Sequence, residues 1–238
     1  MLQAVTFDFW DTLVIARQDA MRDIRIDGVG EILAAAGRPV ARGVVADAID
    51  EAAAEFRRAW GENRQFGAEQ AVPMIVDALG IKASDDLTGR LVEIIQNGDP
   101  EPEMTPNSAA TLRALKLAGI RLGIICDVGF SPSTRLRGHL ERFGVLRLFD
   151  HWSFSDDVGQ FKPSPLVFEH AHRGLGVREP AAAAHVGDLR RTDIAGARGF
   201  GSISVRYAGI VDDQGAGPEA DHVITDHAQL LDVLGVGR

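Results

Sequence analysis

Short apolar runs alternate with amphipathic stretches in two separated parts of the chain. Residues 2–9 are almost continuously apolar, which is typical of a strand buried on both faces. The alternation resumes further on and predicts strands at residues 121–126, 152–154, 183–186, 202–206 and 222–225. Helical spacing of apolar positions separates them, at residues 132–143, 164–175, 192–199 and 228–234. Strands that alternate with helices indicate parallel pairing through right-handed crossovers.

The long stretch between these two parts shows only helical periodicity, and no strand is predicted in it. Gly37 and Gly80 are expected just past the last turns of two of its helices. We therefore predict an α/β fold with a three-layer, Rossmann-like core built on a parallel sheet. The core is formed by residues 1–14 and 103–238, and an all-helical cap is inserted at residues 15–102.

Composition and charge exclude several kinds of protein. Asp and Glu outnumber Lys and Arg by 34 to 25, a net charge of −9, and no basic run could collect a phosphate backbone, so no nucleic-acid partner is expected. Cys126 is the only cysteine, which rules out an internal disulfide and a multi-cysteine zinc site. No apolar run approaches the ~20 residues that span a bilayer, and Asp8 follows too soon for a signal peptide. We expect a cytoplasmic protein with no membrane partner; its oligomeric state is left open.

Charged residues follow the predicted strands at the edge where a parallel sheet binds ligands. Asp8, Asp127 and Asp188 end three of these strands. Lys162 lies in the loop after another, and Asp193 follows Asp188 by five residues. Carboxylates brought so close would repel one another unless a cation neutralised them, and Mg²⁺ suits a few carboxylates with waters. The alternative is that each acid merely caps the helix that follows it.

Four segments, in order, resemble the motifs of the haloacid dehalogenase superfamily. They are Phe-Asp-Phe-Trp-Asp-Thr-Leu at residues 7–13, the strand at 122–127, the lysine-containing stretch at 155–163, and His-Val-Gly-Asp-Leu-Arg-Arg-Thr-Asp at 185–193. The helical insert after the first motif is also the commonest cap position of that superfamily. Each segment alone is a weak signal, whereas the ordered set identifies the chain as a member.

The resemblance implies a magnesium-dependent phosphatase acting on a small phosphorylated metabolite. Asp8 would attack phosphorus and form an aspartyl-phosphate, which water then hydrolyses. Mg²⁺ would be held by the Asp8 carboxylate, the Trp10 backbone carbonyl and Asp188, with Asp193 as a further ligand or a support. Lys162 would hold nucleophile and phosphate together, and the residue at position 126 would hydrogen-bond the phosphate.

Several positions depart from a plain phosphatase. Trp10 stands where the superfamily's phosphatases carry the Asp that protonates the leaving group, and such acid catalysis is typically worth ~10²–10⁴ in rate. Asp11 stands where relatives have glycine, Cys126 replaces a hydroxyl, and Asp127 replaces an Asn found in many relatives. We expect all four to line the substrate site, with Asp11 or Asp127 as a relocated acid. A reactive-thiol role for Cys126 would need an adjacent base.

Two other functions are possible. A 2-haloacid dehalogenase would use Asp8 to displace halide from carbon; these metal-independent enzymes have an aromatic residue at the position of Trp10. It would need a cap arginine for the substrate carboxylate, and Arg17, Arg22 and Arg25 are available. A degenerate, non-catalytic member that binds a ligand is the third interpretation.

Three histidines are interpreted as structural. His170 and His172 point apart on a predicted helix, where solvent exposure is expected rather than metal binding. His185 precedes the Gly-Asp pair on a buried strand, where it should be hydrogen-bonded.

Overall fold

The computed structural model describes residues 1–237, and within them six strands form one parallel sheet. The strands are β1 (Ala4–Phe7), β2 (Arg121–Cys126), β3 (His151–Phe154), β4 (Ala183–Gly187), β5 (Ile203–Tyr207) and β6 (His222–Ile224). Their order across the sheet is β3-β2-β1-β4-β5-β6. The predicted α/β class and each predicted strand are confirmed, although β1 is shorter at both ends than the apolar run at residues 2–9.

β1 is the centre of the arrangement because it pairs with β2 on one side and β4 on the other. All four of its residues are buried. From β1 the chain builds β2 and β3 on one side and then crosses to β4 on the other side of β1, which creates the switch in strand order where α/β sheets bind ligands. Loops after these three strands open at the same edge.

Helices complete the α/β unit. They are α5 (Ser108–Leu117), α7 (Ser155–Val158), α8 (Pro165–Gly174), α9 (Ala195–Phe200), α10 (Leu230–Val233) and the part of α6 (Ser133–Arg142) from Arg137 onward. The helix predicted at residues 192–199 begins earlier than expected, as a π-helix at Arg190–Ile194 that continues into α9. Pro165 starts α8 because its fixed φ suits a first helical turn and it lacks an N–H that would go unpaired there.

A second compact unit contains residues Arg17–Glu101 together with Val128–Leu136. Its long helices are α1 (Gln18–Ala35), α2 (Arg42–Gly61), α3 (Ala68–Ala78) and α4 (Asp85–Asn97). They bury a continuous apolar core that includes Ile26, Leu33, Ile49, Ile75 and Leu91. The secondary structure within Arg17–Glu101 consists of helices, as the periodicity predicts. The segment Val128–Leu136, which the sequence analysis assigned to the core, groups here with the helices.

Gly37 and Gly80 follow α1 and α3 with φ of 72° and 64°. Both are left-handed conformations that glycine adopts without a steric cost, so the predicted helix ends are confirmed. Across residues 1–237 no helix combines the length and the apolar character that crossing a membrane requires.

Candidate active site

The predicted strand-end residues converge at the carboxyl edge of the sheet. Asp8 directly follows β1, Asp127 follows β2, and Asp188 follows β4. These three strands are neighbours in the order β2-β1-β4, so their loops begin side by side. Asp8 and Asp188 are both buried, at 7% and 6% exposure, which means their charges are poorly screened by water.

Lys162 lies at the centre of this cluster. Its Nζ is 2.5 Å from Asp8 Oδ1 and 2.6 Å from Asp193 Oδ1, and it donates to the Ile125 carbonyl at 3.2 Å. The backbone N–H of Lys162 donates to Asp127 Oδ1 at 2.8 Å, so the acid after β2 fixes the lysine loop. Burial by itself would lower the pKa of Lys162, but the charges of Asp193 and Asp8 raise it well above its usual range. The lysine is therefore held as a cation.

Asp193 is the most fully hydrogen-bonded acid of the site. Its Oδ1 accepts from Lys162 and from His185 Nε2 at 3.0 Å, and its Oδ2 accepts from the Leu189 N–H at 3.1 Å and the Thr192 hydroxyl at 3.3 Å. A carboxylate offers about four acceptor positions, and all four are used. Burial alone would raise the pKa of Asp193, yet Lys162 and His185 hold it well below its usual range.

The turn that carries Asp193 explains the glycine of the Gly-Asp pair. The π-helix lets both the Asp193 and the Ile194 N–H reach the Leu189 carbonyl, at 3.0 and 3.2 Å. This widened turn brings Asp193 against the end of β4. A Cβ on Gly187 would lie 2.3 Å from Asp193 Cγ, so only glycine allows this approach.

Asp188 differs from Asp193 because, among residues 1–237, no donor gives its carboxylate a hydrogen bond. Oxygens of Asp8, Asp188 and Asp193 nevertheless lie within 4.8 Å of one another. Burial, Asp193 and Asp8 raise the pKa of Asp188 to about 9. Burial, opposed by Lys162, raises the pKa of Asp8 to about 7. A buried carboxylate beside two others, without a donor of its own, is suited to ligate a hard divalent cation.

A family model described as haloacid dehalogenase-like hydrolase matches residues 2–201. The chain belongs to this family. It is 29% identical over 256 aligned residues to a glyceraldehyde 3-phosphate phosphatase of Methanothermobacter thermautotrophicus, with 98% of this chain and 100% of that protein covered. It is also 29% identical over 137 residues to (S)-2-haloacid dehalogenase 1 of Pseudomonas sp. (strain CBS-3), covering 58% of this chain and 56% of that one.

Solved structures share the fold of this haloacid dehalogenase-like hydrolase. A 2-haloacid dehalogenase from Pseudomonas syringae pv. Tomato superposes with a TM-score of 0.74 at 24% identity, and 99% of each chain is covered. A phosphatase from Thermococcus onnurineus gives a TM-score of 0.67, also at 24% identity, over all of both chains. Likeness at this identity supports the fold and does not distinguish phosphatases from dehalogenases.

Trp10 and Asp11 occupy the hydrolase's first-motif turn. The Trp10 ring packs edge-on against the rings of Phe9 and His139, with ring centroids 4.9 and 6.4 Å apart. Asp11 adopts a φ of 52°, in the left-handed region that aspartate tolerates better than most residues. Its Oδ1 accepts the Ala16 N–H at 2.9 Å, and burial raises its pKa. The Asp11 carboxyl thus stabilises its own turn.

Cys126 is buried at the end of β2, and its thiol donates to the Asp127 carbonyl at 3.4 Å. Burial first, and then the negative charge of Asp8, raises the pKa of the thiol well above its usual value. A thiolate is the reactive form of cysteine, so these surroundings oppose the reactive-thiol interpretation.

Several histidines contribute more than the sequence indicated. His185 is hydrogen-bonded, as expected, but its partner is the site acid Asp193. The expectation that His172 is exposed is wrong: it is buried, packs against Phe200 and lies 3.1 Å from Ser202 Oγ. Helical spacing cannot tell which face of α8 covers the sheet. His170, half-buried, lies 2.9 Å from Ser153 Oγ.

Two of the three arginines available to a dehalogenase, Arg22 and Arg25, are engaged within the helical unit. Arg22 pairs with Asp50 through two hydrogen bonds of 2.7 and 2.6 Å. Arg25 is buried and donates to the Ile95 carbonyl and to Ser131 Oγ, both at 2.9 Å. Arg22 therefore links α1 to α2, and Arg25 links α1 to α4 and to the segment that contains Ser131.

Proposed function

We propose that the protein is a magnesium-dependent phosphatase that acts on a small phosphorylated metabolite through an aspartyl-phosphate on Asp8. The observation that carries the proposal is the closeness of the Asp8 carboxylate to that of Asp188, which is buried and accepts no hydrogen bond within residues 1–237. A metal-free displacement at carbon has no use for that second acid. The full-length similarity to a glyceraldehyde 3-phosphate phosphatase supports the same reaction class.

The residues present fit a magnesium ion. The carboxylates of Asp8 and Asp188 would ligate it, and the backbone carbonyl of Trp10 would complete the protein ligands as the family resemblance implies. Asp193 is predicted as a further ligand or a support, and its four filled acceptor positions fit the supporting role, with Lys162 as the group that it supports. When bound, Mg²⁺ supplies positive charge that offsets the repulsion between Asp8 and the phosphoryl oxygens.

The reaction divides into two displacements at phosphorus. An Asp8 oxygen forms a bond to phosphorus as the bond to the leaving oxygen breaks, and water then cleaves the aspartyl-phosphate to phosphate and free Asp8. Lys162 orients Asp8 and offers positive charge to the transferred group. Cys126 and Asp127, at the end of β2, would contact the phosphoryl group and its leaving oxygen, and Asp127 also holds the lysine loop by accepting the Lys162 N–H.

The test measures phosphate release from p-nitrophenyl phosphate and chloride release from 2-chloropropionate, each with Mg²⁺ and with EDTA. We expect phosphate release that EDTA abolishes and added Mg²⁺ restores, with no chloride release. Chloride release unaffected by EDTA would replace the proposal with the second candidate, a 2-haloacid dehalogenase, which Trp10 favours. Glyceraldehyde 3-phosphate is the first natural compound to assay. If a broad screen of phosphorylated metabolites gave no turnover, the non-catalytic interpretation would stand.

Replacing Trp10 by aspartate is expected to change which leaving groups the enzyme accepts. The variant Trp10→Asp restores the acid that the family's phosphatases carry at this position, and general acid catalysis is worth roughly 10²–10⁴ in rate. Hydrolysis of an alkyl phosphate should therefore rise by about 10-fold or more. Hydrolysis of p-nitrophenyl phosphate, which needs little protonation, should change less. Trp10→Asn is the control for loss of the indole, and an equal gain in that variant would contradict the explanation.

A further inference from the structure

A continuous line of polar contacts leads from the interior of the sheet to the nucleophile. The Thr6 hydroxyl lies 2.9 Å from His185 Nδ1, and His185 Nε2 lies 3.0 Å from Asp193 Oδ1. Asp193 Oδ1 accepts from Lys162 Nζ, which also contacts Asp8. Thr6, His185 and Asp193 are all 1% exposed, so no bulk water competes for these contacts.

The strand register produces the first contact. Thr6 of β1 is paired with His185 of β4, so both side chains project from the same face of the sheet. On that face the His185 ring meets the edge of Phe168, with ring centroids 5.2 Å apart at 81°. The imidazole is therefore enclosed between a hydroxyl, a carboxylate and an aromatic ring, and these contacts define its orientation.

The contacts also define the tautomer. An unprotonated Nε2 would face the ionised Asp193 oxygen lone pair against lone pair, so Nε2 carries a proton. Nδ1 then accepts the Thr6 hydroxyl proton, since it is nearer to Thr6 Oγ1, at 2.9 Å, than the Ala184 carbonyl oxygen is, at 3.3 Å. Burial, together with the charge of Lys162, outweighs the pull of Asp193 and lowers the pKa of His185, which keeps the ring neutral.

We propose that His185 is a positioning residue for the reaction: its Nε2–H, oriented through the Thr6 hydroxyl, holds Asp193 so that Asp193 aims Lys162 at Asp8. The role in turnover rests on the proposed phosphatase function. Asp193 Oδ1 is the shared atom, because it accepts from both His185 and Lys162. Without the imidazole donor, Asp193 Oδ2 keeps its bonds to Leu189 and Thr192, but Oδ1 is held only by the lysine that it orients.

The kinetic test compares His185→Leu, which removes the donor, with His185→Gln, whose side-chain amide places an N–H close to the position of Nε2. Loss of an outer hydrogen-bond partner of a metal or catalytic site typically costs 10–100-fold. We expect His185→Leu to lower kcat for p-nitrophenyl phosphate by about that factor with KM changed less than about 3-fold. His185→Gln should recover most of the loss. Thr6→Val should lower kcat less than His185→Leu does. Thr6→Ser, which keeps the hydroxyl, should have a higher kcat than Thr6→Val.

His172→Leu is the matched control. It also removes a buried imidazole hydrogen-bonded to a hydroxyl, that of Ser202, but it has no contact with the acids of the site. A merely structural role for His185 predicts equal losses of Tm and of kcat in the two leucine variants. Equal kcat values for these variants, or a His185→Gln variant no more active than His185→Leu at the same Tm, would overturn the proposal.

Two readouts do not depend on turnover. Nitrogen-15 NMR of the resting protein at pH 7.5 should show His185 with a protonated Nε2 and an unprotonated Nδ1; a ring protonated on Nδ1 would overturn the proposal. Calorimetric titration with Mg²⁺ should show affinity weakened about 10-fold or more in His185→Leu and recovered in His185→Gln, because the lysine that Asp193 aims also contacts Asp8, a proposed ligand of the ion. If p-nitrophenyl phosphate is not hydrolysed while these two results hold, the phosphatase proposal fails and the positioning role stands. Unchanged Mg²⁺ affinity would count against the positioning role itself.

Discussion

Replacing Asp8 by asparagine should abolish turnover and at the same time stabilise the metal-free protein. The amide of Asp8→Asn cannot form the covalent intermediate, and loss of a catalytic nucleophile costs about 10⁴-fold or more in kcat. Stability should change in the opposite direction, because an ionised Asp8 is buried beside Asp193 and only partly compensated by Lys162. Activity and stability would thus separate at a single residue.

The stabilisation by Asp8→Asn should depend on pH in a defined direction. Burial raises the pKa of Asp8 from an ordinary 3.8 to about 7 in the folded chain. Below pH 3.8 the carboxyl is protonated in both the folded and the unfolded state, so its ionisation does not change the free energy of unfolding. Between these values the unfolded chain ionises first, and stability falls as pH rises until about pH 7. The variant should therefore gain little Tm at pH 4 and most at pH 8.

Thermal unfolding in EDTA measures this dependence. Asp77→Asn, which changes an exposed acid on α3, is the control and should give the same small Tm difference at both pH values. Adding Mg²⁺ should reduce the Tm difference between Asp8→Asn and wild type at pH 8, because only the wild type retains both proposed carboxylate ligands and is stabilised by the ion. An Asp8→Asn variant less stable than wild type at pH 8 in EDTA would contradict the description of Asp8 as a desolvated acid.

The strand-end acids illustrate what a sequence can predict about such a site. A short, continuously apolar run is typical of a buried strand, and parallel strands open at one edge, so Asp8, Asp127 and Asp188 could be placed together without coordinates. Lys162 followed from the resemblance of its segment to the family's third motif. The placement of the three acids depends only on periodicity and spacing along the chain, whereas the role of Lys162 depends on the family resemblance.

The link between Thr6 and His185 illustrates what could not be predicted. It depends on the register of β1 against β4, and Thr6 is 179 positions from His185, its neighbour in register. A shift of one residue would point the two side chains to opposite faces. The π-helix is similar, because one extra residue in a turn leaves no distinct apolar pattern, yet it places Asp193 against Gly187. Local patterns do not contain such long-range geometry.

Replacing Lys162 by methionine should impair both catalysis and folding, unlike the change at Asp8. Methionine fills similar volume but leaves Asp193 and Asp8 buried without their shared cation. Removing one partner of a buried ion pair costs about 3–5 kcal/mol, and removing one electrostatic donor at a reacting centre costs about 10²–10³ in kcat. We therefore expect a Tm loss of several degrees and a kcat at least about 100-fold lower.

Arginine should not rescue the loss at Lys162. The Nζ of Lys162 lies within 3.2 Å of two carboxylates and the Ile125 carbonyl, and that space admits a point charge but not a planar guanidinium. The matched control is Lys116→Met, which removes a lysine paired with Asp150 at the surface and should alter stability by less than about 1 kcal/mol. Steady-state kinetics and thermal unfolding of Lys162→Met, Lys162→Arg and Lys116→Met measure these effects on kcat and Tm. If Lys162→Met kept kcat within tenfold of wild type, Lys162 would serve only as a counter-ion for Asp193, and Asp8 would have to react without it.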